Sequence, residues 1–393
     1  MLRVEDVRES NETRLLHLVR DQQPISQAEV VERTGLRPGT VSAIINRLLK
    51  AGFLYEAEQA PSKGGRRAVY LQVNAEKAYA VGLSIGVGES VYMVSDFNGR
   101  ILSQRTVRTR RTAEPFLKEL GREIGQHLKS SYAKARFSAV GVSVPGLLDR
   151  MEGTVIISPN LGWSKVPVRG ILEQELELPV AVENDANAAA LSELWYGPFD
   201  MSGARSLLFV LVIEGIGTGF ILNGELHIGS SVGSAGFGHM TIDSAGPKCS
   251  CGNVGCVESL ASDIATLGRF RKAHPEHAAS VRSVHDLADL AMKGKREARR
   301  HLEKTAMHLG VAIRGLAHGL SPEVIVVGGQ ITEAWPVIKP VLRRELHSGY
   351  LIEGLSMPEL RRATVERPAL FGAVPTALRS VFKTRTSGLL LEQ

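Results

Sequence analysis

Apolar residues recur at helical spacing in three short stretches near the amino terminus. Leu15, Leu16 and Val19 mark one side of a helix from Asn11 to Arg20. Ser26-Gln-Ala-Glu29 has the form of a capping box and starts a second helix. Ala28, Val31 and Val30 are the apolar candidates on that helix, and Gly35 ends it. After Leu36-Arg37-Pro38, the positions Val41, Ile44, Ile45 and Leu48 fall at i, i+3, i+4, i+7 and predict a third helix ending near Gly52. Thr40, Ser42, Ala43, Asn46, Arg47 and Lys50 then face outward. Phe53 to Glu56 and Ala68 to Val73 read as two strands around a basic, glycine-rich tip, Pro61 to Arg67. Residues 1–76 are therefore expected to form a winged helix-turn-helix (α+β), with any plain three-helix bundle as the alternative. In that plan the third helix enters the major groove of double-stranded DNA. Its candidate contacts are Arg37, Thr40, Ser42, Asn46 and Arg47. Lys63, Arg66 and Arg67 at the tip suit phosphates or a minor groove.

From residue 77 onward the pattern changes to strands and longer helices. Tyr79 to Ser84 reads as a strand entering a glycine turn, Ile85-Gly86-Val-Gly88. Val91 to Phe97 follows, with Asn98-Gly99 as a hairpin signal. Pro115 to Tyr132 is an amphipathic helix, and Ala139 to Val144 a buried strand ending at Pro145-Gly146. A second lobe is expected after Asn184. There Ser206 to Ile213 reads as a strand, Glu214 to Gly219 as a tight turn, and Phe220 to Leu222 as the returning strand. Glu303 to Leu320 is a helix with Ala306, Leu309, Ile313, Leu316 and Leu320 inward, leading to the strand Val324 to Val327. Residues 77–393 are thus expected to be one α/β domain of two similar lobes with a cleft between them. The charge runs Arg105 to Arg111 and Lys293 to Arg300 read as solvated faces.

Charge sharpens the first domain. Residues 1–76 hold eleven basic and ten acidic side chains, but Arg33 to Arg67 holds seven basic and two acidic. The positive charge is concentrated on the half expected to meet DNA. No apolar run approaches the roughly 18 residues of a membrane span. The first residues lack a basic segment followed by an apolar one, so a cytoplasmic location is expected.

The cysteines carry the most specific chemistry. All three of the chain fall in eight residues, at Cys249, Cys251 and Cys256, and His239 stands ten positions before the first. Three thiolates and one imidazole form the closed Cys₃His set that zinc takes in structural sites. Gly252 and Gly255 would let the loop turn tightly enough for Cys251 and Cys256 to face one ion. An odd count without an export signal argues against a disulfide. A closed site leaves no position for metal catalysis. The ion would brace the loop 239–256, and the loop would hold Glu258.

These pieces together resemble the ROK family, which groups bacterial sugar-responsive repressors with sugar kinases. The resemblance runs through essentially the whole chain, and the head resembles that of the family's xylose and N-acetylglucosamine repressors. Its marks in the body are Pro145-Gly146, Pro159-Asn160-Leu161-Gly-Trp163, Glu183-Asn184-Asp185-Ala186, Gly215-Ile-Gly217-Thr-Gly219, Gly238-His239, the cysteine loop with Glu258, and Gly328-Gly329. It implies an actin-like or hexokinase-like (ribonuclease H-like) fold with a sugar site in the cleft. Carried over, Asn184 and Asp185 would hold sugar hydroxyls, Glu258 and His239 would complete the contacts, and Asn160 would lie near. In the kinases the aspartate matching Asp185 is the general base. Here it precedes a helix start, whose dipole favours the ionised acceptor form.

Two departures bear on activity. The kinases carry Asp-x-Gly-x-Thr in the first glycine turn, where Ser84-Ile-Gly86-Val-Gly88 stands here. Ser84 and Gly88 remove a carboxylate and a hydroxyl from the phosphate side, so no kinase activity is expected. The family usually has a glutamate that grips the sugar in Gly-Glu-x-Gly-His, and Gly236 stands in its place. The expected protein is a regulator of carbohydrate genes, most often a repressor in this branch. It would bind a palindromic operator as a homodimer or homotetramer, with a sugar or sugar derivative as effector. The alternatives are an ATP-dependent sugar kinase with a DNA-binding head, and a regulator that has lost small-molecule sensing.

Overall fold

The computed structural model describes residues 11–57, 69–198, 206–228, 235–348 and 357–386, except positions 13, 14, 17, 21 and 78. The wing tip with Lys63, Arg66 and Arg67 lies outside the described residues. Among the described residues no helix is long and apolar enough to cross a membrane.

The head opens with helical residues between 11 and 22. It continues through β1 (Ile25–Ser26), α1 (Gln27–Thr34), α2 (Pro38–Lys50), β2 (Leu54–Ala57) and β3 (Tyr70–Val73). The capping box is formed: Ser26 Oγ accepts from the Glu29 amide at 3.3 Å, and the Ser26 amide donates to Glu29 Oε2 at 2.8 Å. Gly35 ends α1 in the left-handed conformation, φ +65°. The buried side of α1 is Val30 and Thr34, whereas Ala28 is exposed and Val31 half-buried. Thr34 can sit inward because its hydroxyl donates to the Val30 carbonyl at 2.6 Å. A polar residue thus completes the i, i+4 stripe begun by Val30. On α2 the predicted stripe Val41, Ile44, Ile45 and Leu48 is buried. The three short strands form one antiparallel sheet, β1-β3-β2.

The body has two five-stranded sheets. The first lobe contains β4 (Tyr79–Ile85), β5 (Glu89–Ser95), β6 (Ile101–Arg108), α3 (Ala113–Ser131) and β7 (Phe137–Val144). A small side sheet follows, of β8 (Leu147–Asp149), β9 (Thr154–Ser158) and β10 (Trp163–Val166). Then come α4 (Val168–Leu176), β11 (Val180–Asn184) and α5 (Asp185–Tyr196). The second lobe contains β12 (Ser206–Val212), β13 (Ile216–Leu222), β14 (Glu225–His227), α6 (Val257–Ala261), α7 (Asp263–Ala273), α8 (Val284–Met292), α9 (Arg296–Leu320), β15 (Val324–Gly328), α10 (Trp335–His347) and β16 (Glu359–Arg362). The described residues end in α11 (Pro368–Thr386).

The lobes share one topology. In the first, β4, β5 and β6 form an antiparallel meander, β7 runs parallel to β4, and β11 parallel to β7. In the second, β12, β13 and β14 form the meander, β15 runs parallel to β12, and β16 parallel to β15. The second glycine turn is shorter than the sequence suggests, because β13 begins at Ile216 and takes in Gly217 and Gly219. Their role is close approach. A Cβ on Gly217 would lie 2.7 Å from Ala186 Cβ, and one on Gly219 2.6 Å from the Ala186 carbonyl. Helix α9 starts seven residues earlier than its apolar pattern indicates. The basic run that opens it hides Ala298 and Leu302, which are buried, while Leu316 is half-buried and Leu320 exposed.

Two helices join the lobes. Helix α11 lies on the first sheet, where a Cβ on Gly141 would come 1.8 Å from the Ala373 carbonyl. Helix α5 packs between α11 and the second sheet; a Cβ on Gly372 would come 1.7 Å from the Ala188 carbonyl. The backbones touch because these positions lack side chains. The head is built into the same block. One apolar core contains Leu15, Ile44, Leu48 and Leu71 of the head together with Val91, Met93, Trp195, Leu370 and Val374 of the body. The Arg20 guanidinium sits 4.3 Å from the centroid of the Trp195 ring and donates to the Trp195 carbonyl. Phe53 and Phe97 stack with ring centroids 5.1 Å apart.

The packing of α5 on α11 makes a stability contrast. Gly372→Ala forces a methyl group against a carbonyl that has no room to move, and is expected to destabilise the fold by about 3 kcal/mol. Gly268→Ala, inside α7 with no atom within 4 Å of its Cβ, should stabilise by up to about 1 kcal/mol. Urea unfolding of both variants checks this. Equal midpoints would refute the close packing.

Candidate functional site

The metal loop is built by backbone geometry first. Thr241 pairs with Cys256 and Lys248 with Val254 in antiparallel bridges, so the segment folds back on itself. Gly252 (φ +98°) and Gly255 (φ +66°) occupy the left-handed region at its two sharp corners. At Gly255 a side chain is impossible on space alone, since its Cβ would lie 1.5 Å from the Asp243 carbonyl oxygen. This brings together His239, Cys249, Cys251 and Cys256, whose donor atoms all lie within 4.8 Å of one another.

The donor set fits a four-coordinate ion. A tetrahedron with metal–sulfur bonds of about 2.3 Å and metal–nitrogen bonds of about 2.05 Å has S–S edges near 3.8 Å and S–N edges near 3.6 Å. Cys251 Sγ and Cys256 Sγ are 3.7 Å apart, and Cys249 Sγ lies 3.6 Å from His239 Nδ1. The sulfur–sulfur distance is far from disulfide bonding, and all three thiols are free. Burial, then Cys251 and Cys249, push Cys256 up to about 12, whereas the Asn253 amide and the neighbouring thiols lower Cys251. A divalent cation reverses the rise at Cys256, because a coordinating thiol gives up its proton.

Glu258 links this loop to the cleft. It stands in the first turn of α6, directly after Cys256. Its Oε2 accepts from the Ile216 amide at 3.1 Å, and its Oε1 accepts from the Ser250 hydroxyl at 3.4 Å. The turn before Ile216 also meets Asn160. A Cβ on Gly215 would lie 2.7 Å from Glu258 Oε2 and 3.2 Å from Asn160 Nδ2. Asn160 is held there by the turn in which the Gly162 amide donates to the Ser158 carbonyl at 2.9 Å.

Asn184 and Asp185 sit at the start of α5. Asn184 is its N-cap: Oδ1 accepts from the amides of Ala186 (2.9 Å) and Asn187 (3.2 Å), and Nδ2 donates to the Gly146 carbonyl at 3.1 Å. Its side chain is buried, and it pins the Pro145-Gly146 turn to the helix. Asp185 Oδ1 accepts from the Ala186 amide at 2.9 Å, which leaves Oδ2 for another donor. The helix start does not leave Asp185 an ordinary acid. Burial pushes it up to about 6, against the backbone amides that lower it, and Glu214 raises it further.

Two acidic residues that sequence reading passed over belong here. Glu214 stood inside a glycine turn and read only as loop. Asp263 stands in the first turn of α7, after the N-cap Ser262, and no sequence motif marks it. Asp263 donates its amide to the Ile213 carbonyl at 2.9 Å, while its Oδ1 is buried with no hydrogen-bond partner. Burial pushes it up to about 7, and Glu214 adds to the rise. Gly236 lies at the exposed rim, with no described atom within 4 Å of a Cβ built on it.

On the head, Arg37, the N-cap of α2, and Thr40 and Asn46 are exposed, and Ser42 and Arg47 are half-buried. Arg47 Nε lies 3.5 Å from Glu12 Oε1.

The ROK family model matches residues 80–376, three quarters of the chain. This chain belongs to the ROK family. A second model, of the MarR family, matches residues 9–68. The xylose repressor of Bacillus spizizenii is 31% identical over 344 residues, covering 87% of this chain and 88% of that protein. The DNA-binding transcriptional dual regulator NagC of Escherichia coli K12 is 26% identical over 402 residues, covering 99% and 96%. Among solved structures, a ROK family transcriptional regulator described as a homolog of the E. coli MLC protein shares the fold over 96% of both chains, with TM-score 0.79 and 22% identity. A ROK family glucokinase from Streptomyces griseus, in complex with glucose and AMPPNP, matches 77% of this chain and all of its own, with TM-score 0.66 and 28% identity. The head and the two-lobed body expected from sequence are therefore both present.

Two measurements follow from the geometry. Purified protein should carry close to one zinc per chain by elemental analysis, and Cys256→Ser should lose it and melt at lower temperature. An unchanged metal content in that variant would sink the four-donor assignment. Asp263 is raised in the folded state, so its effect on stability is full below about pH 4 and is lost as pH rises through 7. Asp263→Asn removes that loss. Its stabilising effect should grow by about 2 kcal/mol between pH 5.5 and 8.5, as read from urea midpoints. A pH-independent effect would mean the carboxyl is not enclosed.

Proposed function

We propose that this ROK protein is a transcriptional repressor of carbohydrate genes whose operator affinity is set by a sugar bound between the lobes. One observation carries it: α5 bears Asp185 at one end and, at the other, Trp195 in the grip of Arg20 from the head. A ligand that moves the start of α5 therefore acts on the DNA-reading unit. The whole-length likeness to proteins named as repressors of xylose and N-acetylglucosamine supports the same reading.

In this proposal the chain divides at residues 76 and 77. Arg37, Thr40, Ser42, Asn46 and Arg47 meet base edges and phosphates from α2, and Lys63, Arg66 and Arg67 act from the wing. A two-fold homodimer, alone or paired into a tetramer, reads a palindromic operator. Asp185, Glu258 and Asn160 bind sugar hydroxyls. Asn184 contributes by fixing the start of α5, and His239 stands beside the sugar while holding zinc with Cys249, Cys251 and Cys256. The ion is structural: it braces the loop so that Glu258 reaches the Ile216 amide. Ser84 and Gly88 leave the first glycine turn without a metal-binding carboxylate, so the protein binds sugar without phosphorylating it. The chain works in the cytoplasm, where DNA and sugar meet.

Gly236 favours a second reading, a regulator whose cleft no longer binds sugar. A thermal-shift screen against sugars separates the two, since a ligand bound only by the folded state raises the melting temperature. With an operator selected from random duplexes, a sugar from that screen should change DNA affinity by about tenfold or more. In Trp195→Ala the change should fall below about threefold while sugar binding persists. Fluorescence anisotropy reads both. Identical DNA affinity with and without a bound sugar in the unmodified protein would end the repressor-effector reading.

A further inference from the structure

The turn between β12 and β13 is surrounded by carboxylates from four different elements. Glu214 lies on the turn itself. Asp185 comes from the start of α5, Glu258 from α6, and Asp263 from the start of α7. The contacts are direct on two sides, through the Glu258 carboxylate on the Ile216 amide and the Asp263 amide on the Ile213 carbonyl. Glu214 acts electrostatically on both Asp185 and Asp263, in each case disfavouring ionisation. Asp263 Oδ1 is enclosed and unpartnered. Among the described residues, no lysine, arginine or histidine forms an ion pair with any of the four.

Such a group of acceptors distinguishes ligands by charge. A sugar hydroxyl is a donor and meets Asp185 or Glu258 favourably. A phosphate ester carries a charge of about −1.5 to −2 and only acceptor oxygens at its ionised face. If the ester replaces the hydroxyl that would meet Asp185, it lies against Asp185 with Glu214 as the next charge. Among the described residues no lysine or arginine is paired with these carboxylates to offset it. Like charges in a partly enclosed cleft repel far more strongly than in water. The glycine turn, whose amides alone would suit an anion, is therefore turned against one.

We propose that Glu214, with Asp263 behind it, makes the cleft selective for uncharged sugars and excludes sugar phosphates. The inference rests on the sugar site proposed above and adds the class of ligand. Glu214 is a specificity-determining residue; it acts on the ligand's charge and is not required to touch it.

Matched pairs test this by calorimetry at pH 8: D-glucose with glucose 6-phosphate, N-acetylglucosamine with its 6-phosphate, and D-fructose with fructose 6-phosphate. Each pair is titrated into the zinc-loaded full chain, its Glu214→Gln variant and its Asp263→Asn variant. For the pair that binds, the free sugar should bind about tenfold or more tightly than its phosphate. The ratio should narrow about threefold or more in Glu214→Gln. Asp263→Asn gives the same readout should Glu214→Gln fail to fold. Equal or tighter binding of the phosphate by the unmodified protein overturns the selectivity and leaves the sugar site standing, as does a ratio that neither variant changes. Binding of no sugar in either form overturns the sugar site, and the selectivity with it.

Discussion

The constraint on which this structure depends is the position of α5. The helix has twelve residues, which span about 18 Å. It is held on two sides by close contact at glycines, and the helix on one of those sides is itself seated on the first sheet in the same way. Gly217 and Gly219 admit it to the second sheet, Gly372 admits it to α11, and Gly141 lets α11 settle on the first sheet. Its own sequence, Asp-Ala-Asn-Ala-Ala-Ala-Leu, supplies small side chains along that length. Close-packed interiors have low compressibility and transmit strain. A helix gripped in this way moves as a unit or not at all. The Asn184 cap strengthens the point, because it ties the helix start to the Gly146 carbonyl of the first lobe.

The metal loop serves the same block from outside. Among the residues that hold the turn before Ile216, Glu258 is the one fixed by a metal-binding segment. Its carboxylate reaches the Ile216 amide only because Cys256 immediately precedes α6 and fixes where that helix begins. The loop itself buries little apolar surface; Cys251, Gly252, Asn253 and Val254 are exposed. Four metal–ligand bonds would take the place of a core there. A bound ion would act on the turn before Ile216 through one side chain, without an open coordination position of its own.

Much of this was legible in the sequence where the cause is local. The capping box at Ser26, the left-handed Gly35, the α2 stripe and the Cys₃His spacing are each set by residues a few positions apart. What sequence reading missed depends on residues far away in the chain. Gly217 and Gly219 read as turn glycines because nothing in their neighbourhood announces Ala186 and Ala190 as packing partners. Leu302 was lost inside a basic run. The pKa of Asp185 went the other way from the helix-dipole argument, because enclosure by the second lobe outweighs a favourable amide. Glu214 and Asp263 carry no motif at all. They matter only because the fold brings a turn and a helix start together.

The head shows how tightly a regulator of this design must be balanced. Its core is shared with the body, so in this state the head cannot swing freely. Detaching the head outright would disturb Leu15, Ile44, Leu48 and Leu71 where they meet Met93, Trp195 and Val374. A ligand shifts such an equilibrium only by its differential affinity for the two states. Allosteric couplings amount to about 1–3 kcal/mol, and breaking the whole shared core would cost far more. In the regulation proposed above, the shared core would therefore survive the change as a body, and the part that changes would be small. The Arg20–Trp195 contact has the right size. A cation over an indole contributes about 0.5–2 kcal/mol depending on its exposure, so remaking that one contact would be enough for the coupling proposed above.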